Sequence, residues 1–166
     1  MAMLIMQVVG YQNSGKTTII EKCVKEFASL GIKVGVLKHH GHGGTPDVYQ
    51  KDSVRHFQAG AKVSAVAGEG ALLLHARIDE SKSIMKFIEL YQHFFEIEVL
   101  FIEGYKNLSY PKIVCLRDEN DLDLLKLPNI QAIASRKPMK KKRSFTLGQD
   151  DDLLINWLKN YLHFNR

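Results

Sequence analysis

Residues 10–17, which read GYQNSGKT, constrain this chain more than any other segment. They fit G-x-x-x-x-G-K-[ST], the Walker A pattern of phosphate-binding P-loops. Glycine at both ends lets backbone N–H groups turn inward and form a concave anion site at the start of a helix. We expect Lys16 to reach the β- and γ-phosphates and Thr17 to ligate Mg²⁺ through its hydroxyl. The segment therefore predicts a nucleoside triphosphate ligand.

The residues on either side of this loop favour a particular fold. Residues 4–9 form an apolar run of strand length, and residues 18–30 place apolar side chains at helical spacing. Further along, strand and helix patterns alternate, which is typical of a parallel α/β sheet. Residues 62–67 and 71–75 are joined by a short glycine connector and predict a hairpin. We therefore predict a three-layer P-loop NTPase fold, mostly parallel, with an antiparallel hairpin insertion.

The other predicted elements follow from the same patterns. Strands are expected at residues 33–38, 98–102, 112–116 and 130–134, and helices at residues 52–59, 81–95, 121–126 and 153–162. In the second of these helices, an apolar stripe is expected to face the core; it comprises Ile84, Phe87, Ile88, Tyr91, Phe94 and Phe95. Since no linker interrupts the pattern, we expect one domain over residues 1–166.

Composition and charge narrow the class of protein. No apolar run approaches the ~20 residues of a membrane span, and the N-terminus lacks the basic region of a signal peptide. Cys23 and Cys115 lie in apolar segments and predict buried reduced thiols, as in a cytoplasmic protein. The net charge is +5, and residues 136–143 supply six positive charges, so the remainder would carry −1. This local excess predicts either a solvated loop or an anionic partner, and not a general nucleic-acid surface.

A P-loop needs a partner acid near Mg²⁺ at the end of a neighbouring strand. Glu103 supplies one, because it ends the apolar run of residues 99–102 and is followed by glycine. The carboxyl ends of strands line the ligand crevice in an open α/β sheet. We therefore predict that Glu103 holds Mg²⁺ or positions the attacking water.

Two later segments add candidate residues. Histidines 39, 40 and 42 follow a predicted strand, where they favour a metal site, a contact with an anion or an ordinary polar loop. Asp52 begins a predicted helix, in which it caps the N-terminus, senses the γ-phosphate through Mg²⁺, or does both. Arg55 in that helix lies over a phosphate or pairs with a surface carboxylate.

Taken in order, these segments resemble the molybdopterin-guanine dinucleotide biosynthesis protein B family, MobB. The resemblance spans residues 4–137 and rests on residues 10–18, the VLKHH segment at 36–40, the KDSVRH segment with AGA at 51–61, and the IEGYK segment at 102–106. It implies a P-loop α/β fold and a homodimer that binds GTP and Mg²⁺. We expect slow intrinsic hydrolysis, because no residue of the sequence is clearly an arginine finger. The resemblance also implies a role beside the molybdenum cofactor guanylyltransferase, which joins GMP to molybdopterin.

Two positions depart from the family pattern. The loop after Lys38 reads His39-His40-Gly41, where relatives have a different histidine arrangement with a following acid. After Ser135 the family often has an acid, which would accept hydrogen bonds from the N1/N2 edge of guanine, and here Arg136 stands in its place. GTP preference is thus implied by the resemblance alone.

The assigned site combines the motif residues with those implied by the resemblance. Lys16, Glu103 and Asp52 are assigned to catalysis, and Thr17 and Glu103 to Mg²⁺. The residues assigned to the nucleotide are Gly10, Asn13, Ser14, Gly15, Lys16, Thr17, Thr18, Lys38, His39, Arg55 and Ser135. Two alternatives are a metallochaperone-type P-loop GTPase that uses His39, His40 and His42, and a small-molecule kinase. Molybdopterin itself is a further candidate ligand.

Overall fold

A computed structural model describes residues 3–40, 52–79 and 83–163, with the side chains of residues 52, 53 and 83 left out. The chain divides into two compact units, Met1–Gly41 with Leu90–Arg166, and His42–Glu89. Such units do not decide whether the chain folds as one domain, so the single-domain expectation stays a prediction. Within the described residues, none of the helices is both long and apolar enough to cross a bilayer.

The larger unit is built on a six-stranded sheet. Its strands are β1 (Leu4–Gly10), β2 (Val34–Lys38), β5 (Val99–Glu103), β6 (Lys112–Leu116), β7 (Ile130–Ser135) and β8 (Ser144–Thr146). They lie in the order β2-β5-β1-β6-β7-β8, and every pair is parallel. This confirms the predicted α/β class. The chain crosses from one side of β1 to the other between β5 and β6, which makes the carboxyl end of β1 the switch point where such sheets bind ligands.

Alternate side chains of the strands face two separate cores. One core joins Met6, Val8 and Phe101 of the sheet to helices α1 (Lys16–Ser29) and α4 (Asp151–Tyr161). The other joins Val9 and Val114 to a 3₁₀ helix, Glu119–Lys126. Because successive strand residues point to opposite faces, the two cores lie on opposite sides of the sheet. The three predicted layers are therefore present.

The smaller unit carries the predicted hairpin. Strands β3 (Val63–Gly68) and β4 (Ala71–Ala76) pair antiparallel, with Gly68 opposite Ala71, as expected from the glycine connector. Helix α2 (Asp52–Gln58) packs against both strands, and the Phe57 ring lies 6.0 Å from that of His75. The unit also includes α3 (Ser83–Glu89).

The predicted apolar stripe over residues 84–95 is partly wrong. A π-helical turn, Leu90–Phe94, follows α3, with the Phe95 amide donating to the Leu90 carbonyl at 3.3 Å. The wider π turn rotates later side chains away from a 3.6-residue stripe. Phe94 and Phe95 are consequently 66% and 41% exposed. Tyr91 stays inside the larger unit and donates its hydroxyl to the Val36 carbonyl at 2.6 Å.

Candidate phosphate and magnesium site

The P-loop lies between β1 and α1 at the switch point of the sheet. Gly10 is required by close packing, since a Cβ there would lie 2.6 Å from the Cys115 carbonyl oxygen and would collide with Ser14 Oγ. Gly15 caps α1 with a φ of +91°, a left-handed conformation that other residues rarely adopt. Asn13 also has positive φ, at 60°, which asparagine tolerates. The glycine spacing of the motif is thus a geometric need of this loop.

The loop encloses a cavity suited to phosphate. The cavity has a volume of about 320 Å³ and is lined by Asn13, Ser14, Gly15, Lys16, Thr17, Thr18 and Arg136. Ser14 is fully buried, and its Oγ has no hydrogen-bond partner among the described residues. Six of the predicted nucleotide residues therefore line one cavity.

Lys16 folds back over the loop. Its Nζ donates to the Tyr11 carbonyl at 2.8 Å. Partial burial lowers the pKa of Lys16, and the ammonium groups of Lys106 and Lys38 lower it further, while Glu103 opposes them. Several cations thus converge on this end of the sheet, and their mutual repulsion would be relieved by an anionic ligand.

Thr17 and Glu103 meet across the sheet although they are 86 residues apart. Thr17 Oγ1 lies 3.2 Å from each carboxylate oxygen of Glu103, a side chain that is 8% exposed. Neighbouring oxygen ligands of octahedral Mg²⁺ are about 3.0 Å apart, as follows from bonds of about 2.1 Å. The hydroxyl and the carboxylate are therefore close enough to share one magnesium ion, and their assignment to it stays a prediction.

Strand register brings Lys38 and His39 to the same edge. Lys38 is the register partner of Glu103, and its Nζ lies 3.5 Å from Glu103 Oε1. The Lys38 side chain is 61% exposed, so this ion pair contributes little to stability. The His39 amide donates to the Glu103 carbonyl at 2.9 Å, and its ring lies 4.3 Å from the ring of Tyr105.

Buried Gln7 of β1 fixes the turn that follows Glu103. Its side-chain amide donates to the carbonyls of Gly104 and Tyr105 at 3.1 and 2.9 Å. The same turn carries Lys106, whose Nζ lies 3.9 Å from the centre of the Tyr11 ring. Sequence reasoning gave neither Gln7 nor Lys106 a role, although Lys106 belongs to the IEGYK segment. The position of Lys106 shortly after Glu103 in the sequence could have identified it as a candidate site residue.

Other predicted site residues are not brought to the cavity by any described contact. Ser135 is buried at the carboxyl end of β7, where its hydroxyl donates to the Lys137 carbonyl at 2.6 Å. Asp52 and Arg55 lie in α2 of the smaller unit, and the Asp52 side chain is outside the described set. Their assignment to the nucleotide stays a prediction.

The metal-site alternative finds no support here. The described residues contain no group of three or more His, Cys, Asp or Glu side chains placed to hold a metal ion. His42, the third member of the predicted cluster, is outside the described residues. Comparison with known proteins likewise gives no support to a metallochaperone or a small-molecule kinase.

Comparison with known proteins identifies the family. The model of the family "Molybdopterin guanine dinucleotide synthesis protein B" matches residues 5–136. A Bacillus subtilis relative named "Probable molybdopterin-guanine dinucleotide biosynthesis adapter protein" is 49% identical over 135 residues, which cover 80% of this chain and 76% of the relative.

Solved structures agree with this match. The crystal structure of Bacillus subtilis MobB superposes with a TM-score of 0.83 at 42% identity, covering 95% of this chain and 96% of that one. The MobB homologue from Bacillus stearothermophilus gives 0.75 at 32% identity, covering 97% and 99%. The chain that carries this site therefore belongs to the MobB family.

Proposed function

We propose that this protein is a GTP- and Mg²⁺-binding adapter in the conversion of molybdopterin to molybdopterin guanine dinucleotide. The relatives' names supply the pathway and the word adapter. The observation that carries the nucleotide part is the pairing of Thr17 with Glu103 beside the P-loop cavity. In this role the protein assists the molybdenum cofactor guanylyltransferase, in the cytoplasm, with molybdopterin as a candidate second ligand.

Each residue of the site has a defined part in this proposal. Lys16 and the loop amides hold the β- and γ-phosphates. Thr17 and Glu103 hold Mg²⁺, which when bound neutralises charge on the phosphate oxygens. Binding GTP requires Lys16 to exchange the Tyr11 carbonyl for a phosphate oxygen. That exchange is favourable because a hydrogen bond to an ionised partner is the stronger one.

A binding titration tests the nucleotide part. We expect GTPγS to bind far more tightly with Mg²⁺ than with EDTA, and more tightly than ATPγS. Glu103→Gln should weaken binding with Mg²⁺ by about tenfold or more and should not weaken binding in EDTA, since the lost carboxylate acts through the ion.

Glu21→Gln is the matched control, because it removes the same charge from an exposed side chain on α1, one turn beyond Thr17. Its affinity should equal that of the wild type. An affinity for GTPγS that is indifferent to Mg²⁺ in the wild type would refute the assigned ion site.

Turnover and pathway assays test the adapter role. We expect the protein alone to hydrolyse GTP far below the ~1–100 s⁻¹ typical of kinases. Added to a guanylyltransferase with molybdopterin and GTP, it should increase formation of the dinucleotide, and Glu103→Gln should increase it less. Hydrolysis at kinase-like rates, or dinucleotide formation that does not change when the protein is added, would contradict the proposal.

The hairpin supports the proposed homodimer. Its exposed apolar side chains are 44–52% accessible and comprise Val63, Val66, Leu72, Leu73 and Leu74. Val63, Leu72 and Leu74 share one face of the hairpin, because Leu72 is paired with Ala67 and Leu74 with Ala65. A two-stranded sheet is only marginally stable by itself, and a second copy of the same hairpin would cover this face. We therefore assign this surface to a symmetric contact between two copies of the chain.

Light scattering after size exclusion measures the assembly directly. We expect a mass of twice the 18.9 kDa protomer for the wild type and a shift to the monomer for Leu72→Lys. Leu153→Lys is the control, because Leu153 is 60% exposed on α4 and takes the same substitution. A Leu72→Lys protein that stays dimeric would exclude this face of the hairpin as the contact.

A further inference from the structure

Arg136 lies at the rim of the P-loop cavity, in the position where an acid was expected. It lines the cavity together with residues 13–18. Its Nη2 donates to the Asn13 carbonyl at 2.5 Å, a contact between residues 123 positions apart. Neither the Walker A pattern nor the family match assigns a role to this guanidinium.

The backbone holds Arg136 in place. Its amide donates to the Leu116 carbonyl at 3.1 Å, which ties it to the end of β6. Just before it, the Ser135 carbonyl accepts from the Leu147 amide at 2.8 Å, and the Ser135 hydroxyl closes the turn onto Lys137. The Arg136 side chain thus projects from a fixed point directly after β7, the strand that β6 separates from β1.

The guanidinium has unused binding capacity. Arginine offers five N–H donors in a planar fork, and one of them is occupied by Asn13. Among the described residues, no carboxylate forms an ion pair with Arg136. An arginine fixed beside a phosphate cavity and lacking an acidic partner is suited to bidentate binding of phosphate.

We propose that Arg136 binds a phosphate group of the nucleotide in the P-loop cavity. The inference rests on the proposed function, and it names a residue of the same site. Since arginine has donors only, it cannot accept hydrogen bonds from the N1/N2 edge of guanine. Because Arg136 lines the cavity formed by residues 13–18, it contributes affinity for the phosphate chain of the nucleotide.

Two ligands separate a phosphate contact from a base contact. GTP and inorganic tripolyphosphate share the phosphate chain, and tripolyphosphate has no base or ribose. Both are titrated against the wild type, Arg136→Gln and Arg136→Lys. The glutamine removes the charge, whereas the lysine keeps it.

We expect Arg136→Gln to weaken the binding of GTP and of tripolyphosphate by a similar factor, on the order of tenfold or more, as for loss of a charged hydrogen bond. Arg136→Lys should recover part of both affinities. Lys137→Gln, which removes an exposed charge from the next residue, should match the wild type for both ligands. Unfolding temperatures measured without ligand show that each variant is folded.

Three results would overturn the inference. Unchanged affinities in Arg136→Gln would show that the side chain only braces the loop. A loss confined to GTP would show that it contacts the base or ribose. If the wild type bound neither ligand, the proposed function would fall as well, whereas tight wild-type binding with an unaffected Arg136→Gln removes the role of Arg136 alone.

Discussion

Substituting Gly10 by alanine tests whether the P-loop owes its geometry to close packing against β6. The added Cβ would lie 2.6 Å from the Cys115 carbonyl oxygen, whereas ordinary contact begins at 3.4 Å. The loop would therefore have to retreat by about 0.8 Å, since a backbone carbonyl cannot rotate away. Overpacking of this kind costs about 1–3 kcal/mol, and a backbone obstacle favours the upper half of that range.

Stability and binding report separate parts of this effect. For a chain of this length, a loss of about 2–3 kcal/mol lowers the unfolding temperature by roughly 4–12 °C. The retreat also moves the amides that face the phosphates, so GTP affinity should fall by about tenfold or more. Thermal unfolding without ligand measures the first quantity, and titration with a fluorescent GTP analogue measures the second.

Gly68→Ala is the matched control. A Cβ at Gly68 meets nothing within 4 Å, and its φ is outside the left-handed range, so this substitution should be neutral or slightly stabilising. If Gly10→Ala unfolded within 2 °C of the wild type and bound GTP equally well, the close approach to Cys115 would not govern the loop. The argument from packing would then be refuted.

Three further predictions concern buried side chains. Burial raises the pKa of both Cys23 and Cys115 to about 12, so a thiol reagent at pH 8 should modify neither until the protein is unfolded by denaturant; modification of the native protein would contradict this. Lys112 is fully buried and donates to three backbone carbonyls at 2.7–3.1 Å, so Lys112→Met should cost about 3 kcal/mol in urea unfolding. Hydrogen bonds from Arg117 lower the pKa of Asp121, so its ionised form stabilises the fold above about pH 3.9, and this contribution is lost as the pH falls through the lowered value. Asp121→Asn should therefore be destabilising at pH 7 and progressively less so, relative to the wild type, in unfolding measured down to pH 3; a constant difference would exclude the linkage.

Local sequence patterns predict an element well when all of its residues indicate the same secondary structure. Strand β6 begins and ends where expected, at Lys112–Leu116, because its residues are buried on both faces. The three-residue strand β8 was not predicted, since its Ser144, Phe145 and Thr146 follow a lysine-rich run and are too few for a pattern. It forms because β7 offers a parallel edge, which is a tertiary condition.

The same division holds within the site. Lys16 and Thr17 were predictable because the P-loop is a local structure that contains its own ligand groups. Glu103 was predicted from its place at the end of a buried strand, and that inference needed only that strand ends share one edge of the sheet. Its 3.2 Å approach to Thr17 depends on β5 lying directly beside β1, which no local pattern states.

The phosphate loop, the parallel α/β class, the hairpin and the resemblance to MobB could all be predicted from short-range spacing in the sequence. The surroundings of the loop depend on how distant segments pack together. That packing buries Ser14 Oγ without a partner, holds Lys16 against Tyr11 and places Arg136 on Asn13. The physical reason is strand order: β6 and β7 follow one another beside β1, so a residue 123 positions from Asn13 comes within hydrogen-bond distance of it.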